Sequence, residues 1–311
     1  MSKKHTQNII AESRHTLPIT MIYGIGIWLL AGLVNNGWWM QFVCFAASVY
    51  AMMHLNNANL MIRIYSRSVS AAYILLTCAA VWLFPSIHGA VIQLGTILVL
   101  ALLFSCYQNK ETQGRTFYMF AIMSIISMLE PHYLLYIPII WLLMAITMYS
   151  MCFRNFIASI IGLITPYWLY AGWQLLNNPE DPSKALDIFS RFSEMPWSTY
   201  YQAITEPQIL YFVLLVVLFM IGAVHFWITS YMDKIRVRQI YTSLILLTLY
   251  TILLLALQPH MFDVLIYMMT IAVSPIIAHF VSLTHTRMSN ILFMVMMVVI
   301  VLLTGMNLWI S

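Results

Sequence analysis

Charge is what this chain has least of. Only 8% of its 311 residues are Asp, Glu, Lys or Arg, against 62% hydrophobic residues and a mean hydropathy of +0.86. That balance excludes an ordinary soluble domain, in which about a quarter of the residues are charged. Cysteine is scarce too: Cys44, Cys78, Cys106 and Cys152 all fall inside apolar stretches or at their ends. Their spacing fits no zinc or haem-attachment motif and offers no disulfide framework. Glycine and proline number 11 each and are scattered. No Walker, Rossmann or Gly-x-Ser-x-Gly pattern is present, and no His-Glu-x-x-His, so the common phosphate-cradling, nucleophile-elbow and zinc-helix chemistries lack their local signatures. The net charge of +4 sits in short connections between apolar runs, where it suits anionic lipid headgroups rather than nucleic acid.

Long apolar runs are what the chain does have. A hydrocarbon core of ~30 Å needs about 20 helical residues. Runs of this kind are read at 18–34, 37–54, 69–85, 87–106, 116–129, 133–153, 155–175, 208–229, 239–257, 261–282 and 289–309. The expected fold class is all-α: one integral-membrane domain over residues 1–311, a polytopic transmembrane bundle of about eleven spans. Lys3, Lys4, Arg14, Arg63, Arg67, Lys110, Arg115, Arg154, Lys234, Arg236, Arg238 and Arg287 fall on every second connection. The intervening connections hold only Lys184 and Arg191, with Glu130, Glu180, Asp181, Asp187, Glu194, Glu206 and Asp263. Cytoplasmic loops retain Lys and Arg, so the N-terminus is expected in the cytoplasm and, with an odd span count, the C-terminus on the outer side. The run 18–34 follows a basic, polar start and is long enough to remain as a signal anchor. Trp38, Trp39, Trp82, Trp168, Trp173 and Trp309 lie near expected interfaces.

Candidate chemistry concentrates on the outer connections. The run 116–129 rises only ~21 Å at 1.5 Å per residue, too little to cross the core. The turn Glu130-Pro131-His132 is therefore expected to be recessed, where an ionisable group is costly and is retained for a task. Glu130 and His132 are the candidate catalytic pair, a general base or proton relay. The alternative is a helix-end hydrogen bond in a locally thinned bilayer. His260 and Asp263 lie on the same side, with His88, Asn35 and Asn36, but nothing in their spacing suggests a metal site, and no metal or cofactor is expected. A short echo links Leu129-Glu130-Pro131-His132 to Leu257-Gln258-Pro259-His260.

One outer connection is long. In 176–207, Ala185, Ile188, Phe189, Phe192 and Met195 fall at helical spacing after Ser183, giving an amphipathic surface helix. Trp197, Tyr200 and Tyr201 follow it, either as interfacial anchors or as a lid whose rings stack on a sugar or an isoprenoid chain. Lys184 and Arg191 are the cations available there for a donor phosphate. On the inner side, Arg63 and Arg67 read as loop charge or a lipid-phosphate contact. His225 and His279, inside later spans, read as a hydrogen-bonded pair or haem ligands.

The stretch Arg154 to Trp168, RNFIASIIGLITPYW, resembles a segment of a multipass inner-membrane family of Gram-negative bacteria, a domain of unknown function. The preceding Ile137-Pro138-Ile139-Ile140-Trp141 is similar to it as well. That resemblance implies the bacterial inner membrane and no particular activity, because the family has no assigned catalytic residues. The architecture is also similar to O-antigen polymerases and to the shape, elongation, division and sporulation glycosyltransferases, which carry a long outer loop late in the chain. Their glycine- and serine-rich signature is missing here. So is the acidic motif that polyprenol-phosphate-dependent glycosyltransferases place in the first outer loop, which in this chain is only Asn35-Asn36. The function expected is handling of an envelope glycan or lipid-linked sugar at the outer face, with membrane lipid, a polyprenyl-phosphate-linked sugar or other envelope proteins as partners. A structural or assembly subunit and a secondary transporter remain the alternatives.

Overall fold

The structure, a computed structural model, describes residues 5–178 and 204–310. Every regular element among them is helical. In chain order these are α1 (Thr6–Glu12), α2 (Thr16–Leu30), α3 (Leu33–Asn36), α4 (Trp39–Asn59), α5 (Ser68–Ala79), α6 (Ile87–Ser105), α7 (Gln113–Leu129), α8 (Tyr136–Ile146), α9 (Phe153–Asn177), α10 (Glu206–Thr229), α11 (Ile235–Leu257), α12 (Phe262–Leu283) and α13 (Arg287–Ile310). Single 3-10 turns stand at Val81–Leu83, Pro131–Leu135, Ser230–Met232 and Pro259–Met261.

Among the described residues six helical segments are long and apolar enough to cross a membrane: Ile87–Ser105, Phe153–Asn177, Glu206–Met232, Ile235–Leu257, Pro259–Leu283 and Arg287–Trp309. At 19 to 27 residues each, they rise roughly 28–40 Å, enough for the hydrocarbon core. Thr16–Leu30, Ser68–Ala79 and Pro131–Ile146 are apolar but shorter. This is a helical membrane protein. The apolar run 133–153 is not one helix. It stops at Ile146, where Thr147 and Met148 both donate to Leu143 O, and Ser150 and Met151 return to Met144 O. Tyr149 takes a left-handed φ of 53° inside this fold-back, which supplies the carbonyls of the last turn with donors. The run 18–34 also breaks, at Gly32 with φ 100°, a conformation strained for any residue with a Cβ.

The described residues form two compact units, 5–94 with 204–256 and 262–310, and 95–178 with 257–261. In the larger unit α12 is the centre. It is apolar on all faces and almost wholly buried, packed by α5, α10 and α1. Its contacts with α10 ascend together, from Tyr211–Thr270 to Gly222–Ile276 to His225–His279, so the two run parallel. The residues flanking α5 run the other way, from Ser66 at Ser282 before it to Leu83 O after it, which accepts from the Tyr267 hydroxyl. Arg63, Lys234, Arg236, Arg238 and Arg287 therefore share one end of this unit. α1, within the polar start of the chain, is locked to that end: Gln7 Nε2 donates to Val281 O at 2.7 Å and Thr284 Oγ1 at 2.6 Å, and Asn8 Nδ2 to Thr284 O at 2.8 Å.

In the smaller unit α7 and α9 also run parallel. Asn155 donates to Thr112, Ser124 Oγ to Leu163 O, and Ser127 meets Tyr167, in ascending order. Lys110, Arg115 and Arg154 thus gather at one end, and the Glu130 turn, which closes α7, lies at the other. Trp168, Leu169, Trp173 and Leu176 leave a broadly exposed apolar stripe on α9, as a lipid-facing helix requires.

Candidate functional site

The smaller unit brings together three residues singled out in the sequence. Pro131 starts a 3-10 turn directly after α7, and Pro259 starts another directly after α11, since proline fits the first helical position and its ring forbids helix to the residue before it. Each turn presents a histidine. Glu130 Oε1 meets His132 Nδ1 at 2.7 Å, and His132 Nε2 meets His260 Nε2 at 3.2 Å, the two rings standing edge to face with centroids 4.7 Å apart. Glu130 keeps 30% of its side-chain surface exposed and His132 12%, so the chain runs inward from a partly wetted carboxylate.

Hydrogen-bond capacity orders the protons along this chain. An ionised carboxylate only accepts, so His132 Nδ1 donates to Glu130. In a neutral ring the Nε2 of His132 is then the acceptor, and His260 Nε2 must donate to it. His260 Nδ1 is left with a lone pair, buried and without a partner among the described residues. Gln258, at the position equivalent to Glu130, is buried and its Oε1 is likewise unpartnered among those residues. The two echoing turns are thus not equivalent: one carries the charge, the other the open base.

The remaining sequence candidates fall elsewhere. Asp263 belongs to the larger unit, exposed on the first turn of α12 beside the Trp82 indole. Lys184, Arg191, Trp197, Tyr200 and Tyr201, with the amphipathic stretch Ala185 to Met195, lie outside the described residues. Among the described residues no three His, Cys, Asp or Glu side chains are placed to hold a metal ion.

A second ionisable cluster, in the larger unit, centres on a residue the sequence reading passed over. Asp233 ends the 3-10 turn after α10 and its side chain is fully buried; Oδ2 meets His279 Nε2, also fully buried, at 3.1 Å. Arg63 Nε stands 2.9 Å from Oδ1, yet Oδ1 receives no hydrogen bond from the described residues, so this contact is ionic and misaligned. His225 packs beside His279 at a ring separation of 5.4 Å, and Tyr241 at 4.8 Å. The signal that could have found Asp233 is its setting: an acid directly between two long apolar helices, in a connection too short to carry it clear of the bundle.

Comparison with known protein families, with curated proteins and with solved structures finds no match for this chain.

Proposed function

We propose that this chain is an enzyme of the bacterial inner membrane that handles an envelope glycan or lipid-linked sugar at the outer face, with the Glu130–His132–His260 chain as its proton acceptor. The observation that carries this reading is the meeting of the two Pro-His turns, which leaves one imidazole nitrogen, His260 Nδ1, without a partner among the described residues at the end of a charge-anchored relay. An eleven-span topology with the N-terminus in the cytoplasm puts this turn outside. An outer position for the turn is supported by the end of the smaller unit on which Glu130 lies, opposite Lys110, Arg115 and Arg154.

In this reading an acceptor hydroxyl gives its proton to His260 Nδ1 as its oxygen attacks the anomeric carbon of the donor. The Nε2 proton of His260 passes to His132 Nε2, and the resulting imidazolium is held by the Glu130 carboxylate. The bond that breaks joins the sugar to its polyprenyl phosphate, whose departing charge is met by Lys184 and Arg191 of the long connection. General-base help of this kind contributes about 10²–10⁴-fold in rate.

A proton-coupled secondary transporter is the second reading, favoured by the buried Asp233–His279 pair. Such groups mark ion pathways in membrane proteins. One experiment separates the two. A strain deleted for the gene is complemented with wild type, His132→Ala, His260→Ala and Asp233→Asn, and its surface and lipid-linked glycans are read on gels, with membrane levels of each variant checked. The enzyme reading expects an altered glycan pattern on deletion, restored by wild type and Asp233→Asn and not by the histidine variants. An unchanged pattern on deletion sinks it; failure of Asp233→Asn alone favours the transporter.

A further inference from the structure

The larger unit carries a groove of about 410 Å³ lined by Phe226, Trp227, Ser230, Arg238, Gln239 and Thr242. It opens at the junction of α10 and α11, and three observations converge on what fills it. Arg238 lines it, half-buried, with Nε covered and unpartnered among the described residues. Its charge therefore stands at the wall of the groove with no acceptor on Nε among the described residues. Charge in the connection is unbalanced: Lys234 and Arg236 flank Arg238, while the one acid, Asp233, is turned inward to His279 and Arg63. The level in the bilayer is also set. α10 has 24 residues, a rise of ~36 Å against a ~30 Å core, so its last turn reaches the headgroups. Ile235 also lines the groove, and from it Trp227, Ile228 and Val224 on α10 continue as exposed apolar surface, 83% in the case of Trp227.

We propose that this groove binds an anionic glycerophospholipid. Arg238 donates to the phosphate oxygens, Ser230 and Gln239 supply neutral hydrogen bonds beside it, and an acyl chain lies along Trp227 and Ile228. Arginine suits the role because its planar fork matches phosphate oxygens in pairs. The site is separate from the Glu130 turn and does not depend on any role for it. A sequence reading of basic loops foresees diffuse attraction to acidic lipid; the groove makes a stronger claim, of one stoichiometric lipid at one place.

The test is lipid retention by the full chain, purified in mild detergent and titrated with phosphatidylglycerol, phosphatidylcholine or inorganic phosphate under native mass spectrometry. Wild type is expected to hold one phosphatidylglycerol in clear preference to phosphatidylcholine, with inorganic phosphate failing to displace it. Arg238→Gln should weaken that binding by at least about tenfold. Lys234→Gln removes the same charge from the same connection and should cost no more than a few-fold. Gln239→Glu, nearly the same size and carrying a repelling charge into the groove, should mimic Arg238→Gln while leaving elution behaviour unchanged. Equal loss in the Arg238 and Lys234 variants means diffuse attraction and overturns the proposal. Equal retention of the two lipids, or displacement by inorganic phosphate, overturns it as well.

Discussion

Gly222→Ala should part the two helices that hold the buried charge cluster. A Cβ at position 222 would stand 2.6 Å from Ile276 Cγ2 and 3.0 Å from the Ile276 carbonyl oxygen. Carbon atoms in ordinary contact are about 3.5–4.0 Å apart, so roughly 1 Å must be found. Ile276 cannot yield it by rotation, because a β-branched side chain in a helix has essentially one χ1 rotamer. Its main chain cannot yield either, being the central helix of the unit. The helices must therefore separate, and overpacking of this kind costs about 1–3 kcal/mol. Damage extends one turn further, since His225 and His279 each lie three residues beyond the contact on the same two faces and now stand 5.4 Å apart. The assay is reversible unfolding in mixed micelles of wild type, Gly222→Ala, Ile276→Ala and the double variant. Ile276→Ala alone opens a cavity and is itself destabilising. It removes the offending methyl, however, so the glycine substitution should cost less than about half as much in that background. A Gly222→Ala protein within about 0.5 kcal/mol of wild type, or strict additivity in the double variant, would refute the close-approach argument.

Two further outcomes follow from the packing. Gly162→Ala sets a Cβ 2.5 Å from the Phe117 carbonyl oxygen, and should destabilise the α7–α9 pair by about 1–3 kcal/mol, seen as earlier proteolysis of the smaller unit than of the larger. His279→Ala leaves Asp233 buried with only the misaligned Arg63 contact; breaking such a pair costs about 3–5 kcal/mol, and Asp233→Asn in the same protein should recover part of it. Micelle unfolding of the single and double variants checks that order, and a His279→Ala protein as stable as wild type would contradict it.

Helical membrane architecture was legible because lipid imposes it: backbone groups must be satisfied within each segment, and the segments must be long and apolar. The limits of each segment were less so. Met148 and Met151 are apolar enough to prolong the run 133–153, yet they sit in a fold-back whose donors and acceptors meet only through tertiary geometry, and Phe153 already opens α9. α1 escaped notice because Gln7 and Asn8 are polar in composition but buried by bonds to residues some 280 positions away. Glu130 and His132 were visible as a pair in one turn, and His260 singly, as an ionisable residue at another turn after an apolar run. The meeting of that pair with His260 was not, because His132 and His260 are 128 residues apart and pattern cannot measure that distance. Asp233 was hidden by its own connection, where three basic neighbours made the loop look like solvated positive charge.

The central claim, that Glu130, His132 and His260 act as one proton-accepting chain, is tested most directly by comparing single and double variants in glycan complementation. Glu130→Gln, His260→Ala and the double variant are expressed at equal membrane levels in the deletion strain, and product formation is quantified over time. Residues that act as a unit are strongly non-additive. The account predicts that the double variant is no slower than His260→Ala alone, and that both fall by about 10²-fold or more. Full activity in His260→Ala, or losses that multiply in the double variant, would contradict it.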